Sequence, residues 1–371
     1  MVYHDTTTLL DETPAGRKGF FECIDRKGRS HIQYHVVTIG NIALSRPLLL
    51  APMAGITDLP YRLIMRSFGC ELSFLEMVSA RSLVHESKKT KRMLCSSGED
   101  RPLGAQLLGS EPESVLAALE AIRSYRFDII DFNAACPVPK ITKKGKGASL
   151  LREPKKVKAL LEVLVRNAEA PVTVKIRSGW DKASINAREI ALYAEDAGVS
   201  ALTIHGRTKE QGYSGRVDYT VIRDVKEAVS IPVIASGDAL SPQLIRRLLH
   251  ETGCDAVAIA RGSLGNPWIF RDTAAYLETG IIPDRPSADE IADTMRRHLD
   301  LNCGFYGREK GTVLFRKLFS WYVKGLHEVR PLKEDAFRAG TLEQMIGLIE
   351  STRDFVYRHP ESTYEGFALS C

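Results

Sequence analysis

The sequence predicts a (β/α)8 TIM barrel that is followed by a small all-helical C-terminal domain. Between residues 37 and 280, eight short apolar runs alternate with helix-like segments, a pattern typical of parallel strands covered on both faces. A doubly wound sheet would be expected to carry a G-x-G-x-x-G loop after an early strand, and none is found there. After "PDRPSADE" the apolar residues follow helical spacing only.

The eight predicted strands are rich in aliphatic residues, and each leads into a polar or glycine-bearing stretch where a loop is expected to begin. The segments between the strands, such as "EPESVLAALEAIRSY" and "SPQLIRRLLHETG", have the periodicity of amphipathic helices. The strands are predicted at residues 47–53, 71–79, 102–108, 128–135, 172–180, 201–208, 231–238 and 255–262.

Two further segments flank the barrel, which is assigned to residues 37–283. Residues 1–36 form an N-terminal extension, in which "GFFECIDRKGRSHIQYHVV" alternates around "DRKG" and indicates a hairpin. Residues 287–371 are assigned to the helical domain. Ser287 and Glu290 have the spacing of a capping box at the start of its first helix.

Composition excludes several classes of protein. With 44% hydrophobic and 26% charged residues, the 371-residue chain is typical of a globular protein. No apolar run approaches the ~20 residues of a membrane span, and the N-terminus lacks a signal-peptide pattern. The seven cysteines include no C-x-x-C pair, which argues against a disulfide framework or a metal site. A cytoplasmic monomer with no metal and no membrane partner is therefore expected.

Polar side chains occur where the predicted strands end. In a barrel of this type the carboxyl ends of the strands surround one mouth, and the active site lies there. The sequence therefore predicts one site built from several loops. The polar residues at these ends are Glu76, Gln106, Asn133, Cys136, Lys175, Arg177, His205, Arg207, Ser236, Asp238 and Arg261.

Two of these residues have chemistry that the spacing alone leaves open. Cys136 precedes a proline, which holds it in an extended or turn conformation. It can be a core thiol, a proton donor or a nucleophile, although no histidine stands beside it to act as the base. Lys175 follows the apolar run "VTV", where it could form a Schiff base, neutralise a phosphate or polarise a cofactor ring.

Two glycine-bearing loops and several basic clusters indicate anionic ligands. "ASGDAL" and "ARGSLGN" follow the last two strands, where many barrels bind a phosphate, although both can be simple tight turns. The net charge is +5, with basic clusters at 88–92, 140–146 and from Arg296 to Lys324. Such clusters are either solvated faces or a track for an anionic polymer.

Taken together, the motifs resemble those of the bacterial tRNA-dihydrouridine synthase family. "IGNIALSRPLLLAPMAGITD" is similar to its opening strand and signature, and "DIIDFNAACPVPK" to its catalytic-cysteine loop. "VTVKIRSGW", "ALTIHGRT", "IPVIASGD" and "ARGSLGNPWIF" follow in the family's order, and "FRKLFSWYVKGL" resembles its helical motif. The resemblance covers roughly residues 37–330, most of the chain.

The resemblance implies an FMN-dependent reduction of the C5–C6 double bond of a uridine in tRNA, with NADPH or NADH as the reductant. Cys136 would protonate C5 of the uracil, and Asn133 and Arg177 would orient the base. The residues that the resemblance assigns to the cofactor are Pro52, Met53, Ala54, Gln106, Lys175, His205, Ser236, Gly237, Asp238, Ala260 and Arg261.

The sequence departs from the family's usual pattern at Ala135 and Ala260, where glycine is more common. Alanine fits at these positions unless the backbone needs a positive φ. Two other functions remain open: a flavin-dependent reductase of free pyrimidines, and an RNA-binding homologue that has lost catalysis. The basic helical segment argues against the first, because a free base needs no such track.

Overall fold

Two small antiparallel hairpins precede the barrel. The computed structural model describes residues 21–24, 30–33, 36–84, 87–326 and 328–359. Strand β1 (Phe21–Ile24) pairs antiparallel with β2 (Ser30–Gln33), and the turn of the predicted hairpin, at 25–29, lies outside the described residues. The assignment of residues 1–36 to an N-terminal extension stays a prediction. The second hairpin, β3 (Val37–Ile39) with β4 (Ile42–Leu44), was not foreseen.

A closed parallel barrel follows, as predicted. Neighbouring strands pair in parallel around the ring, and β6 also pairs with β8, so that no edge is left open. The second strand position of the barrel is interrupted, because β6 and β7 both pair with β8. The barrel strands are β5 (Leu48–Leu50), β6 (Leu72–Phe74), β7 (Val78–Ser79), β8 (Leu103–Leu108), β9 (Ile129–Asn133), β10 (Val172–Arg177), β11 (Ala201–His205), β12 (Val233–Ser236) and β13 (Ala256–Ile259).

The second hairpin closes one end of the barrel. Its Val37, Ile39 and Leu44 share a buried cluster with Leu49 and Ile129, which stand near the amino ends of their strands. Since apolar side chains fill that end, the barrel is a packed core with its opening only towards the carboxyl ends of the strands. The fold thereby confines the polar residues at the strand ends to one mouth.

Helices cover the outside of the barrel. Several begin with a proline in the first turn, where the missing N–H costs nothing, and α9 is capped by the Ser241 side chain and ends at Gly253, whose φ is +67°. These helices are α1 (Leu59–Ser67), α2 (Ala80–Val84), α3 (Lys88–Met93), α4 (Pro112–Ile122), α5 (Pro139–Thr142), α6 (Pro154–Asn167), α7 (Ala187–Asp196), α8 (Tyr219–Ala228), α9 (Pro242–Thr252) and α10 (Ile269–Thr279).

The described part of the C-terminal segment is helical, as predicted. Its helices are α11 (Ala288–Tyr306), α12 (Arg308–Tyr322), α13 (Arg330–Arg338) and α14 (Leu342–Arg358), of which α13 was not foreseen. Buried Phe315 and Phe319 belong to the same hydrophobic cluster as the barrel helices. The division of the chain at residue 287 into separate domains stays a prediction.

The start of α11 corrects one detail. Ser287 caps the helix, because its hydroxyl accepts a hydrogen bond from the Glu290 backbone N–H at 3.1 Å. The Glu290 carboxylate instead accepts bonds from Trp268 Nε1 at 2.7 Å and from Arg271 Nη1 at 2.6 Å. The expected reciprocal bond is therefore replaced by a tie between α11 and α10.

Candidate active site

All fourteen residues that the resemblance assigns to the site line one pocket at the carboxyl ends of the strands. Glu76 and Arg207, which the sequence also placed at strand ends, do not line it. Its cavity has a volume of about 400 Å³, within the usual range for small-molecule sites. The pocket also contains residues that were not assigned: Ala51, Ile56, Met77, Ala135, Pro137, Val138, Tyr213, Ala239, Leu240, Ala258 and Leu264.

Strand register brings the polar residues to two levels of the mouth. Arg177 is the register partner of His205, and His205 that of Ser236, so the three side chains share the upper level. Lys175 pairs with Asn133 two residues deeper along β10. Because residues two apart on a strand face the same side, Lys175 lies below Arg177 on the same wall.

A chain of hydrogen bonds connects the barrel interior to the cysteine loop. Thr173 Oγ1 donates to Asp131 at 2.7 Å, and Gln106 Nε2 donates to the other Asp131 oxygen at 2.7 Å. Asn133 Nδ2 donates to Gln106 Oε1 at 2.8 Å, and Asn133 Oδ1 accepts from the Cys136 backbone N–H at 2.9 Å. Each amide is thereby fixed in one orientation, and the loop position of Cys136 depends on residues from three strands.

The Cys136 thiol is kept in its protonated form. Its side chain is buried, and this burial raises the pKa of the thiol above its ordinary value, against the opposing effects of the Val138 backbone and the Arg177 charge. A thiol without an activating base is a poor nucleophile but retains a proton to donate. The environment therefore favours the proton donor among the three roles left open by the sequence.

The cysteine loop is built from close backbone contacts. The Cys136 carbonyl accepts a hydrogen bond from the Ala148 N–H at 3.0 Å. Gly147 has a φ of +60°, and a Cβ there would lie 2.8 Å from the Cys136 carbonyl oxygen, so that only glycine fits. Ala135 is not among the described residues with a positive φ, so alanine is accommodated at that position.

Lys175 is half-buried, and its ammonium lies in the interior without a hydrogen-bond partner among the described residues. Its Nζ atom is shielded from water and makes no hydrogen bond within the described residues. Burial lowers the pKa of Lys175 to about 8, with the Arg177 charge adding to the effect and Asp131 opposing it. Since buried polar groups are normally paired, this ammonium indicates a ligand that carries acceptor atoms.

His205 lies in the same electrostatic field. Its ring is buried, and burial together with four neighbouring cations holds the pKa of His205 well below its ordinary value. The ring is therefore neutral at physiological pH and can serve only as a hydrogen-bonding group. Arg207 Nη1 is 3.5 Å from His205 Nε2.

The loops after β12 and β13, together with Arg207 from the loop after β11, form a cationic cradle. Arg207 bonds both oxygens of Asp238, at 2.9 and 2.6 Å, and Arg261 Nη2 donates to Asp238 at 3.1 Å. A Cβ on Gly262 would lie 2.1 Å from the Ala239 carbonyl oxygen, so the two loops touch through their backbones. A 3-10 turn begins at Arg261, and the first N–H groups of such a turn have no partner within it. This arrangement is suited to a phosphate.

Sequence reasoning missed Tyr213. This ring is 60% exposed and lies beside the guanidinium groups of Arg177 and Arg261, with ring-centre distances of 5.6 and 5.0 Å. Its ring centre is 6.2 Å from that of His205. The only sequence signal is one aromatic residue in the polar stretch "KEQGYSGR".

Arg177, at the end of β10, connects the loops that follow β9 and β11. Its Nε donates to the Ala135 carbonyl at 2.8 Å, and its Nη1 donates to the carbonyls of Thr208 and Gly212, both at 2.9 Å. Because these bonds fix the guanidinium, Nη2 is the nitrogen that they leave to a ligand. The sequence placed Arg177 at the site but gave no indication of this structural task.

No helix in the described ranges is long and apolar enough to cross a membrane. No group of three or more His, Cys, Asp or Glu side chains among those residues could hold a metal ion.

Similar solved structures support the fold. The chain resembles a histamine dehydrogenase from Rhizobium sp. 4-9 with a TM-score of 0.51 and 12% identity, covering 89% of this chain and 65% of that one. It resembles a 2-naphthoyl-CoA reductase with a TM-score of 0.52 and 8% identity, over 65% of this chain and 51% of that one. The chain thus spans only part of both proteins, and the likeness concerns the barrel fold alone.

Sequence relatives are much closer. The chain is 41% identical to the tRNA-dihydrouridine synthase B of Pasteurella multocida over 84% of this chain and 94% of that protein. It is 42% identical to the protein of that name from Klebsiella pneumoniae, over 81% and 92%, and 37% identical to that of Xanthomonas campestris, over 85% and 95%. The family profile "Dihydrouridine synthase (Dus)" matches residues 49–356. The chain therefore belongs to the dihydrouridine synthase family.

Proposed function

We propose that this enzyme reduces the C5–C6 double bond of a specific uridine in tRNA, with FMN as its cofactor and NADPH as its electron source. The observation that carries the proposal is the pocket itself, where the protonated thiol of Cys136 and the unpartnered ammonium of Lys175 line the same cavity. The tRNA substrate is supported by three relatives whose names include it. A tRNA substrate is also compatible with the expected cytoplasmic location.

The residues present fit FMN. Lys175 offers a buried ammonium that lacks an acceptor, and the oxygen- and nitrogen-bearing edge of the flavin ring would supply one. Gly237, Arg261 and the turn that begins at Arg261 would hold the phosphate. Asp238 would contribute its backbone rather than its carboxylate, because both carboxylate oxygens are bonded to arginines. Pro52, Met53 and Ala54 would lie against the ring.

The chain's own residues would position and protonate the base. When bound, FMN supplies the hydride that reduces C6 of the uracil. Cys136 Sγ then gives its proton to C5, where the electron pair of the former double bond collects, and a thiolate remains. Asn133 fixes the cysteine loop that carries this thiol. Arg177 and Tyr213 line the same pocket and would orient the uracil.

The uridine must leave the RNA stack to reach this pocket, which costs a few kcal/mol. The exposed lysines of the 140–146 cluster follow the Cys136 loop directly, so they stand close to the mouth. Contacts between such cations and RNA phosphates would offset the cost of extruding the base.

The test is the reduction of tRNA by purified, FMN-loaded enzyme with NADPH, followed by a mass-spectrometric count of dihydrouridine. Wild type is expected to form dihydrouridine in tRNA and to leave free uridine unchanged. Cys136→Ala should retain FMN and its reduction by NADPH, yet form dihydrouridine about 100-fold or more slowly, because proton donation contributes that much. Equal rates on free uridine and tRNA would favour the pyrimidine reductase instead, and unchanged turnover by Cys136→Ala would remove the proton-donor role.

A further inference from the structure

Aromatic rings around the barrel mouth hold pairs of cations. Trp180 lies beside Lys209 Nζ, 4.2 Å from the ring centre, and beside Arg152 Cζ at 5.0 Å. We call these three residues the Trp180 cluster. Arg152 is exposed and Lys209 half-buried, so a ligand in solution can reach the two charges.

A second group, the Tyr306 cluster, consists of Tyr306, Arg92 and Lys310. Arg92 Cζ lies 5.4 Å and Lys310 Nζ 5.8 Å from the Tyr306 ring centre. The Tyr306 hydroxyl donates to Asp58 Oδ2 at 2.7 Å, which anchors the ring to the loop after β5. Arg92 belongs to α3 and Lys310 to α12, so the cluster joins the barrel to the helical segment.

These four cations lack an acidic partner within the part of the chain that the structure describes. Within the described residues, Arg92, Arg152, Lys209 and Lys310 form no ion pair with a carboxylate and donate no side-chain hydrogen bond. Cations elsewhere on the surface differ in this respect: Arg166 pairs with Glu162, Arg123 with Glu120 and Glu169, and Lys158 with Asp196.

A cation held against an aromatic ring keeps its full charge, whereas one paired with a carboxylate is neutralised. The ring also restricts a long, flexible side chain, so less entropy is lost when an anion binds. Both clusters are therefore suited to a partner that brings its own negative charges.

The topology places the two clusters on opposite sides of the mouth. The eight strand positions of the ring follow the order β5, β6, β8, β9, β10, β11, β12 and β13. Trp180 follows β10, and its two cations follow β9 and β11. The Tyr306 hydroxyl is hydrogen-bonded to the loop that follows β5, and β5 lies four strand positions from β10. The pocket with Cys136 opens between them.

We infer that the Trp180 and Tyr306 clusters are two phosphate clamps that grip the RNA backbone on either side of the uridine in the pocket. The inference rests on the proposed function, because it names the part of the RNA substrate that each side of the mouth contacts. Two points of contact on one RNA strand hold its backbone in place while the base between them is turned out of the stack. The clamps contact phosphates and read no sequence.

The test is the salt dependence of tRNA binding by the FMN-loaded full-length enzyme, measured by fluorescence anisotropy with a labelled, unmodified tRNA transcript. Each phosphate contact adds ~0.7 to ~0.9 to the slope of log affinity against log salt concentration. Two double variants test the clamps: Arg152→Gln with Lys209→Gln, and Arg92→Gln with Lys310→Gln. Each should reduce the magnitude of that slope by about 1.4 to 1.8 between about 50 and 200 mM salt.

A matched control removes two arginines that have acidic partners and stand at the other end of the barrel. Arg123 follows α4 and Arg166 lies in the last turn of α6, so Arg123→Gln with Arg166→Gln removes the same charge. This pair should leave the slope within error of wild type. The thermal unfolding midpoint and the flavin content of each variant show that it is folded.

The outcomes separate this inference from the proposed function. If both cluster variants keep the control's slope while wild type reduces tRNA, the clamps are wrong and the reductase stands. If only one variant changes the slope, the two-sided grip is wrong. If both slopes fall but wild type forms no dihydrouridine, the clamps stand and the proposed reaction fails.

Discussion

At the scale of single residues, the buried ammonium of Lys175 has no hydrogen-bond partner among the described residues. Burial lowers the pKa of its ammonium to about 8 from 10.5. Between these values the unfolded chain binds more protons than the folded chain, so this residue's contribution to stability rises with pH. At pH 7 the buried charge costs about 3 kcal/mol of folding free energy. A flavin edge that accepts its hydrogen bond would remove much of this cost.

Lys175→Met should therefore stabilise the flavin-free protein while it weakens FMN retention about 10-fold or more. The difference in unfolding midpoint between variant and wild type should shrink as pH rises from about 8 to about 10, because the wild-type lysine then loses its proton. Calorimetry and the flavin absorbance after dialysis measure the two effects. Lys226→Met is the control: Lys226 is paired with Asp255 at 2.7 Å, so its loss should lower the midpoint.

At the scale of elements, the strands could be predicted from the sequence, whereas the hydrogen bonds between their side chains could not. The run "DIIDFNAA" predicts a buried strand, and β9 indeed spans Ile129–Asn133. The hydrogen bonds from Asp131 through Gln106 to Asn133 join side chains from neighbouring strands. Such a chain depends on register, which a single sequence does not reveal. The roles that the resemblance assigns to Gln106 and Asn133 remain predictions.

Elements with weak patterns were missed for physical reasons. Helix α13, "RPLKEDAFR", buries only Ala336 and therefore shows no apolar stripe. The hairpin of β3 and β4 has three-residue strands, too short for an alternating pattern to stand out. Tyr213 belongs to a loop, and only the folded chain shows that the cations of two other loops meet its ring.

The contact between the loops after β12 and β13 gives a prediction for these elements. Gly262→Ala would place a Cβ about 2.1 Å from the Ala239 carbonyl oxygen, so the loops must separate, at a cost of about 1 to 3 kcal/mol. FMN affinity should fall by at least about 10-fold if these loops hold the phosphate. Fluorescence titration measures it. Gly347→Ala on α14, where a Cβ meets nothing within 4 Å, should leave it unchanged. Equal affinities would place the phosphate elsewhere.

At the scale of the whole molecule, the helical segment reaches the loop that lines the pocket. Lys317 Nζ on α12 donates to the Gly55 carbonyl at 2.8 Å, and Tyr306 on α11 bonds Asp58. The Gly55 N–H donates to the carboxylate of Glu76, which lies between β6 and β7. The loop between Met53 and Asp58 is thereby held from the barrel and from the helices together, so that RNA bound to the helical segment would meet a mouth of fixed shape.

The measurement that tests the central claim most directly is a position-resolved count of dihydrouridine in total tRNA from cells with and without this gene. We expect dihydrouridine to disappear from one or a few tRNA positions on deletion, and to return with the wild-type gene but not with Cys136→Ala. Unchanged dihydrouridine at every tRNA position after deletion would contradict the claim.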